Sequence, residues 1–224
     1  MESNQYKIFP LSDSAITIDF GNVIDENIND IVMQLFQYCI NNPFMGMKEA
    51  MPAYASLTIF YDVFSVRKKY TSFKTAYAFV EDYLIKSCEN IGEGESFEKR
   101  TIEIPVAYDG EDLSYVADYH QISEVRVVEL HTTPTYRVYM MGFLPGFAYM
   151  GGLDTRIATP RRATPRKKVP AGSVGIAGSQ TGIYPSESPG GWQLIGRTEL
   201  QLYTPNADEI TLLKAGDLVK FMAL

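Results

Sequence analysis

The chain has 224 residues and carries 20 Lys and Arg against 27 Asp and Glu, which gives a net charge of −7. This length suits one large domain or two small ones, and the acidic balance argues against a general nucleic-acid binder. No apolar run is long enough to span a bilayer, and the first residues lack the pattern of a signal peptide. We therefore expect a cytoplasmic protein without a membrane segment.

Residues 1–100 alternate between strand and helix patterns. Asp25 is suited to cap a helix whose apolar residues recur at helical spacing through Cys39, and Ser72 is suited to cap a second helix. Residues 43–53, rich in Met and Gly, are expected to form a loop. Strands with alternating apolar residues are predicted at 6–11, 15–20, 55–61 and 100–106. The resulting ββαβαβ order predicts an α+β domain of ferredoxin-like type, with both helices on one face of the sheet.

Residues 101–224 are expected to form a second, mainly β domain. Two short helices are predicted at 112–120 and 123–131, and little helical pattern follows them. Strands are predicted at 136–141, 192–196, 199–203 and 216–221. Many short strands separated by tight turns are typical of a β-barrel or a sandwich.

The stretch 142–196 holds 11 of the 17 glycines, 6 of the 12 prolines and the only tryptophan. Gly supplies backbone angles that other residues avoid and Pro fixes φ, so this composition predicts short strands joined by specified turns. Large residues are interleaved with the turns, which is not typical of a flexible linker. We therefore expect a shaped surface here, with a groove walled by Phe143, Phe147 and Trp192.

Several familiar chemistries have no support in the sequence. There is no GxxxxGK[ST] phosphate loop, no dinucleotide fingerprint followed by a helix and no GxSxG nucleophile turn. Cys39 and Cys88 lie in helix-like apolar segments, where core packing is the more usual role of a cysteine. Two cysteines and two distant histidines offer no metal-ligand spacing. We expect neither a disulfide framework nor a metal site.

A run of basic residues lies between 156 and 168. It is either a solvated loop or a site for an anion or an acidic partner. A Thr-Pro-Arg pattern occurs twice within it and ends at Arg161 and at Arg166. Each proline fixes the turn that orients the following arginine, and guanidinium suits bidentate contact with carboxylate or phosphate. Arg161 and Arg166 are therefore candidate anion-binding residues.

Further polar and aromatic residues complete a candidate binding site. Gln180, Thr181 and Tyr184 offer neutral donors and acceptors within a turn-rich segment. Trp192, which follows Pro-Gly-Gly, is either a wall of the groove or a core residue of the barrel. His131 ends a predicted helix just before a strand and is either a packing or capping histidine or a catalytic one.

Together these motifs resemble the KipI/PxpB family, also described as the allophanate hydrolase subunit 1 family. The motifs are GFLPGFAY from Gly142, GLD from Gly152, TPRR from Thr159, PR at Pro165, VPAGSVGIAG from Val169, QTGIYP from Gln180 and SPGGWQLIGRT from Ser188. His131 fits the family's histidine before the strand that leads into the first motif, and Arg197 joins the candidate residues that bind substrate or a partner. The resemblance implies an N-terminal α+β domain followed by a cyclophilin-like β-barrel.

The activity that this resemblance implies is that of the PxpB component of an ATP-dependent 5-oxoprolinase. In that reaction 5-oxoproline, ATP and water give glutamate, ADP and phosphate. The resemblance also implies a carboxyltransferase-like partner subunit of PxpC/KipA type and a third subunit of PxpA type. Because this chain has no nucleotide loop, ATP would be used by the complex. We expect the chain to supply part of a shared site and to be inactive alone.

Three functional hypotheses stay open from the sequence. In the first, Arg161 or Arg166 holds the substrate carboxylate or a phosphate, Gln180 and Tyr184 orient the substrate, and Trp192 forms a wall. In the second, the chain is a KipI-type inhibitor of a sporulation histidine kinase and its groove receives an apolar helix face. A weaker third hypothesis is an allophanate or urea-processing subunit.

Overall fold

The computed structural model of the chain describes residues 6–91 and 100–224. The chain divides between residues 98 and 99 into two compact units. That each unit is an independent domain, with the boundary at residue 100, stays a prediction. Within the described residues, no helix is both long and apolar enough to cross a bilayer.

The first unit is an antiparallel four-stranded sheet with three helices. The strands are β1 (Lys7–Ser12), β2 (Ala15–Asp19), β3 (Met47–Pro52) and β4 (Ser56–Tyr61), and the helices are α1 (Glu26–Asn41), α2 (Val63–Lys69) and α3 (Ala76–Asn90). The strand order is β1-β2-β4-β3. Asp25 caps α1 as predicted, because its carboxylate accepts the Ile28 backbone N–H at 3.0 Å. In β4 buried and half-buried residues alternate, so one face of the central strand lies in the core.

Two sequence predictions for this unit are wrong, and one helix was not predicted. Residues 43–53 are not all loop, because β3 lies within them, and α2 was not predicted. β3 is an edge strand in which only Ala50 is buried, so it lacks the apolar alternation that marks a half-buried strand. Thr75, not Ser72, caps α3 by accepting the Ala78 N–H at 3.0 Å.

The predicted ββαβαβ order is not observed either. The strand at Thr101–Val106 is real, but it pairs in parallel with Leu218–Ala223 in the sheet of the second unit. An alternating pattern identifies a strand without identifying its partner, which here lies more than 100 residues away. The first unit accordingly has the order ββαββαα, so a ferredoxin-like arrangement is not confirmed.

The second unit is built on a seven-stranded sheet. Its elements are β5 (Thr101–Val106), α4 (Leu113–His120), α5 (Glu124–Thr132), β6 (Tyr136–Met141), β7 (Ala148–Gly151), a 3-10 turn (Thr155–Ile157), β8 (Arg166–Val169), β9 (Ser173–Ala177), β10 (Gln180–Ile183), β11 (Ser188–Gly190), β12 (Gln193–Arg197) and β13 (Leu218–Ala223). The strand order in the sheet is β12-β9-β10-β7-β6-β13-β5. The two short helices and three of the four predicted strands are confirmed. The strand predicted at 199–203 is wrong, because this segment makes only an isolated bridge at Tyr203.

The two edges of this sheet meet and nearly close it into a barrel. Ala107, just after β5, exchanges two backbone hydrogen bonds of 2.8 Å with Arg197 at the end of β12. Gly196 permits this approach, because a Cβ at that position would lie 2.7 Å from the Ala107 carbonyl oxygen. The mainly β, barrel-like second unit is therefore confirmed at this level, and the cyclophilin-like kind of barrel stays a prediction.

A series of buried hydrogen bonds runs through His131 in the barrel interior, where this side chain is fully buried. The Tyr108 hydroxyl lies 2.7 Å from Nδ1, and Nε2 lies 2.9 Å from the Thr181 hydroxyl oxygen. Thr181 donates its single proton to the Gly175 carbonyl at 3.1 Å, so it accepts from Nε2–H. Burial lowers the pKa of His131 to about 3, so the imidazole is neutral at physiological pH. Because Nε2 carries the single proton, Nδ1 accepts from Tyr108.

A buried carboxylate joins helix α4 to the barrel. Asp112 occupies the N-cap of α4 without capping it through its side chain. Instead one carboxylate oxygen accepts the Leu194 backbone N–H at 2.7 Å, and both oxygens lie 2.7 Å from Arg166 Nη2. Arg162 Nη1 donates to the same carboxylate at 2.9 Å. Charge-assisted bonds of this kind compensate the desolvation of a buried carboxylate.

We predict that Asp112→Ala lowers the free energy of unfolding of the second unit by about 3–5 kcal/mol, because it leaves the largely buried Arg166 guanidinium with only the exposed Glu111 carboxylate as an ion-pair partner. Urea denaturation measures the change. Glu129→Ala is the matched control, since its exposed i,i+3 pair with Arg126 is worth at most about 0.5 kcal/mol. Equal losses in the two variants would show that the Asp112 ion pairs do not stabilise the fold.

A pH prediction follows from His131. Its folded pKa lies below the unfolded value of about 6.5, so its contribution to stability is complete above that pH and is lost as the pH falls towards 3. In His131→Gln this loss is absent, and the decrease in unfolding free energy between pH 7.5 and pH 5 should be smaller than in the parent by about 2 kcal/mol. Parallel pH profiles for the two proteins would contradict the assignment of a neutral, buried histidine.

Candidate functional site

An open groove of about 240 Å³ lies in the second unit. We call it the aromatic groove, and its lining residues are Phe143, Phe147, Tyr149, Arg161, Arg162, Pro165, Tyr184, Pro189, Gly190, Gly191 and Trp192. All come from the Gly- and Pro-rich stretch that the sequence marks as a shaped surface. The prediction that Phe143, Phe147 and Trp192 share one surface agrees with this arrangement.

Phe147 is the centre of the aromatic cluster. Its ring centroid lies 5.5 Å from that of Trp192, 5.4 Å from that of Tyr184 and 4.9 Å from that of Tyr149, in edge-to-face contacts. Such contacts are the favoured geometry for aromatic pairs. Trp192 is 5 % exposed, so it is at once part of this small core and a wall of the groove. The two roles that the sequence left open for Trp192 are therefore combined.

Phe143 stands at the mouth of the groove in an unusual backbone conformation. Its φ is +69°, in the left-handed region that large side chains avoid, and its side chain is 59 % exposed. The turn that holds it is closed by the Phe147 N–H donating to Leu144 at 3.0 Å and the Gly142 N–H donating to Phe147 at 3.1 Å. Strained backbone and an exposed aromatic ring at a groove mouth are typical of a binding site.

Arg161 provides a positive charge beside the aromatic wall. Its guanidinium carbon lies 5.8 Å from the centroid of the Trp192 ring, a cation–π distance. Its loop is held by the Arg162 backbone N–H, which donates to Gly191 at 2.8 Å. No carboxylate among residues 6–91 and 100–224 forms an ion pair with Arg161, whereas Arg162 and Arg166 are paired with Asp112. Of the two arginines that line the groove, Arg161 is therefore the one whose charge is not balanced by a carboxylate of the described residues.

Tyr184 closes the inner side of the groove with a neutral hydroxyl. Burial is the main cause that raises its pKa, while a backbone hydrogen bond at Trp192 and the charge of Arg161 act in the opposite direction. Gly190 makes room for this hydroxyl, since a Cβ there would overlap with it. The groove thus offers aromatic walls, one arginine without a carboxylate partner among the described residues, and a neutral phenol, which suits binding an anion with an apolar body.

The structure does not bring the other predicted site residues into the aromatic groove. His131 and Thr181 belong to the barrel interior, and Arg166 binds Asp112 and Glu111. Arg197 lies at the far end of β12, about 17 Å along the strand from Trp192, and pairs with Glu199. Gln180 begins β10, at the end away from Tyr184. Contact of these side chains with a substrate stays a prediction.

Tyr149 and Asp112 are site-related residues that the sequence analysis missed. Tyr149 lines the groove from strand β7, directly after the turn that carries Phe143 and Phe147. Its position within GFAYMGG could have indicated this role. In the sequence Asp112 is only the first residue of a predicted helix, and its partners Arg166 and Leu194 lie 54 and 82 residues away. No spacing rule connects residues so far apart.

Metal binding and thiol chemistry have no geometric support. Among the described residues there is no group of three or more His, Cys, Asp or Glu that could hold a metal ion. Cys39 and Cys88 are free and buried, and burial raises the pKa of Cys39 to about 11 and that of Cys88 to about 12. Both thiols are therefore protonated at neutral pH and unsuited to be nucleophiles.

Comparison with known proteins gives matches along nearly the whole chain. The family model described as carboxyltransferase domain, subdomain C and D, matches residues 6–213. A protein of Bacillus subtilis (strain 168), named as the B-subunit of 5-oxoprolinase, is 46 % identical over 228 residues, which cover 98 % of this chain and 93 % of that protein. A protein of the same name from Haemophilus influenzae is 59 % identical over 129 residues, which cover 56 % of this chain and 61 % of that protein.

A solved structure shares the fold. The crystal structure of TTHA0988 superposes with a TM-score of 0.81 at 34 % sequence identity and covers 94 % of this chain. This chain spans 40 % of the length of TTHA0988. The family resemblance derived from the motifs is confirmed: the chain belongs to the family of the carboxyltransferase domain, subdomain C and D, together with the PxpB/KipI proteins named as B-subunits of 5-oxoprolinase.

Proposed function

We propose that this chain is the PxpB component of an ATP-dependent 5-oxoprolinase and that the aromatic groove is its part of the shared site. The observation that carries the assignment is the 46 % identity, along 98 % of the chain, to the B. subtilis 5-oxoprolinase protein. The complex would convert 5-oxoproline, ATP and water into glutamate, ADP and phosphate. ATP use is a property of the complex.

The groove matches the chemistry of the proposed substrate. 5-Oxoproline is a compact ring with one carboxylate and one lactam amide. Arg161 would bind the carboxylate through its guanidinium, and the ring would lie against Trp192 and Phe143. The Tyr184 hydroxyl is neutral at physiological pH and is placed to hydrogen-bond a polar atom of the ring. Arg166 would act indirectly, by holding the wall of the groove through Asp112.

Positioning is the contribution we assign to this chain in the reaction. Opening a lactam requires an activated amide, and transfer of the ATP γ-phosphoryl group to the amide oxygen makes the carbonyl carbon open to attack by water. Collapse of the tetrahedral adduct breaks the C–N bond, with a proton going to the leaving amine nitrogen, and gives an acyl phosphate. A second water then hydrolyses the acyl phosphate to glutamate and phosphate. The aromatic groove contains no general base or nucleophile of its own among its lining residues. We infer that these groups and the nucleotide site come from partner subunits and that this chain is inactive alone.

The partners would be a carboxyltransferase-like subunit of PxpC/KipA type and a third subunit of PxpA type. The match to TTHA0988 supports the first, because the equivalent of this chain occupies only 40 % of a longer polypeptide. A region that accompanies it in one polypeptide is a natural binding partner when the two are separate chains. The name of the B. subtilis relative, as one subunit of an enzyme, also implies at least one other subunit.

The kinase-inhibitor hypothesis uses the same groove. Exposed Phe143 and the ring of Trp192 would suit the apolar face of a helix. Arg161 distinguishes the two functions, because a carboxylate substrate depends on its charge whereas an apolar helix face depends on the rings. The urea-processing hypothesis has no feature of the groove in its favour.

We predict that Arg161→Ala raises the KM for 5-oxoproline of the reconstituted three-subunit complex at least about tenfold, since a charge-assisted hydrogen bond is lost. Arg161→Lys should recover part of the loss, because it keeps the charge without the planar fork. Glutamate formation at varied 5-oxoproline measures the effect. The KM for ATP should change little.

Arg156→Ala is the matched control for this series. Arg156 lies in the same basic segment, is exposed and pairs with Asp154 at 2.6 Å, and it does not line the groove. Its KM for 5-oxoproline should equal that of the parent. An unchanged KM in Arg161→Ala, with the complex intact by size-exclusion chromatography, would remove Arg161 from the substrate site.

A further inference from the structure

Residues 158–165, which we call the Arg161 loop, are joined to the aromatic wall by the buried side chain of Gln193. This glutamine is the first residue of β12 and is 2 % exposed. Its Nε2 donates to the Pro160 carbonyl oxygen at 2.8 Å. Gln193 directly follows Trp192, and Pro160 directly precedes Arg161. The hydrogen bond therefore connects the neighbours of the two groups that form the cation–π contact.

This hydrogen bond controls the orientation of one peptide plane. Proline has no N–H, so the carbonyl is the one backbone group through which Pro160 can be held. That carbonyl shares a rigid plane with the backbone nitrogen and Cα of Arg161. The preceding plane is held separately, because the Thr159 carbonyl accepts from the Gly178 N–H at 2.8 Å. Gln193 therefore acts on the direction of Arg161 and not on the loop as a whole.

The amide of Gln193 is poorly suited to stabilise the fold. Its Oε1 is buried and has no hydrogen-bond partner among the described residues, and a buried acceptor without a partner costs free energy. An apolar side chain of similar length would avoid this cost. Pro160 is exposed, so water can replace a lost donor at its carbonyl. A half-satisfied buried amide is expected where function requires its one hydrogen bond.

We propose that Gln193 is a positioning residue for the anion site of the aromatic groove. It holds the Arg161 guanidinium beside the Trp192 ring, where the charge meets a bound carboxylate. Gln193 is not among the residues that line the groove, so it acts through Arg161. The identity of the carboxylate as that of 5-oxoproline rests on the proposed function, whereas the effect of Gln193 on the contact between Arg161 and Trp192 does not.

Steady-state kinetics of the three-subunit complex test the effect on the substrate. We expect Gln193→Met to raise the KM for 5-oxoproline about three- to tenfold, with kcat and the KM for ATP nearly unchanged. In an Arg161→Ala background the same substitution should change this KM less than about twofold, because no guanidinium is left to orient. Equal factors in the two backgrounds would show that Gln193 does not act through Arg161.

Gln193→Glu provides a rescue that depends on pH. A protonated carboxyl keeps the shape of the amide and donates to the Pro160 carbonyl, whereas a carboxylate only accepts and repels that oxygen. Burial raises the pKa of an introduced carboxyl, so the KM relative to the parent should be near one at about pH 5.5 and should rise towards the Gln193→Met value at about pH 8.5. A ratio that equals the Gln193→Met value at the lower pH would contradict donation to Pro160.

A second measurement needs neither substrate nor partner. Trp192 is the only tryptophan of the chain, so a proton–nitrogen correlation spectrum contains a single indole N–H signal. Gln193→Met should shift this signal much more in the parent than in the Arg161→Ala background, since only the parent has a guanidinium that can leave the ring. Equal shifts would overturn the positioning role. The expected difference, found together with an inactive complex, would support that role and reject the proposed function.

Gln37→Met is the matched control. Gln37 is exposed on α1, its Nε2 donates to Asn41 at 3.1 Å, and it does not line the groove. Its loss also removes a glutamine hydrogen bond, yet the KM and the indole signal should equal those of the parent. The melting temperature of Gln193→Met should lie within about 2 °C of the parent, which separates a change in positioning from a loss of folding.

Discussion

The Asp112 carboxylate is the interaction on which the proposed site depends. Burying a carboxylate is costly unless its oxygens are fully paired, and here they are paired with Arg166, with Arg162 and with the Leu194 backbone N–H. Leu194 lies two residues after Trp192, and Arg162 is adjacent to Arg161. One buried charge therefore fixes both the aromatic wall of the groove and the loop that carries the groove's cation.

Two neighbouring arginines in this loop have different surroundings and therefore different uses. Arg162 binds Asp112, whereas Arg161 lies over the Trp192 ring with no carboxylate partner among the described residues. Arg166, in the second Thr-Pro-Arg, also binds Asp112. The repeated pattern suggested two equivalent anion-binding arginines, but the geometry separates a structural role for Arg166 from the binding role we propose for Arg161.

Local patterns predicted the second unit better than the first. The strand at Tyr136–Met141 and the helices α4 and α5 have strong local signals, and the Gly- and Pro-rich stretch marked the groove by composition alone. Strand β3 was not predicted, because an edge strand buries too few residues to show an alternating apolar pattern. Three contacts join residues far apart in the chain: the pairing of β5 with β13, the closure of the sheet at Ala107 and Arg197, and the ion pairs of Asp112. A short stretch of sequence never contains both partners of such a contact, so local patterns could not predict them.

We propose that this chain is an essential part of a 5-oxoprolinase. The most direct test is glutamate release from 5-oxoproline and ATP by this chain together with its carboxyltransferase-like partner and the third subunit, compared with the same mixture without this chain. We expect ATP-dependent glutamate release that disappears when this chain is omitted. Undiminished release without it, or no release from well-folded subunits that co-purify, would contradict the assignment and favour the kinase-inhibitor function.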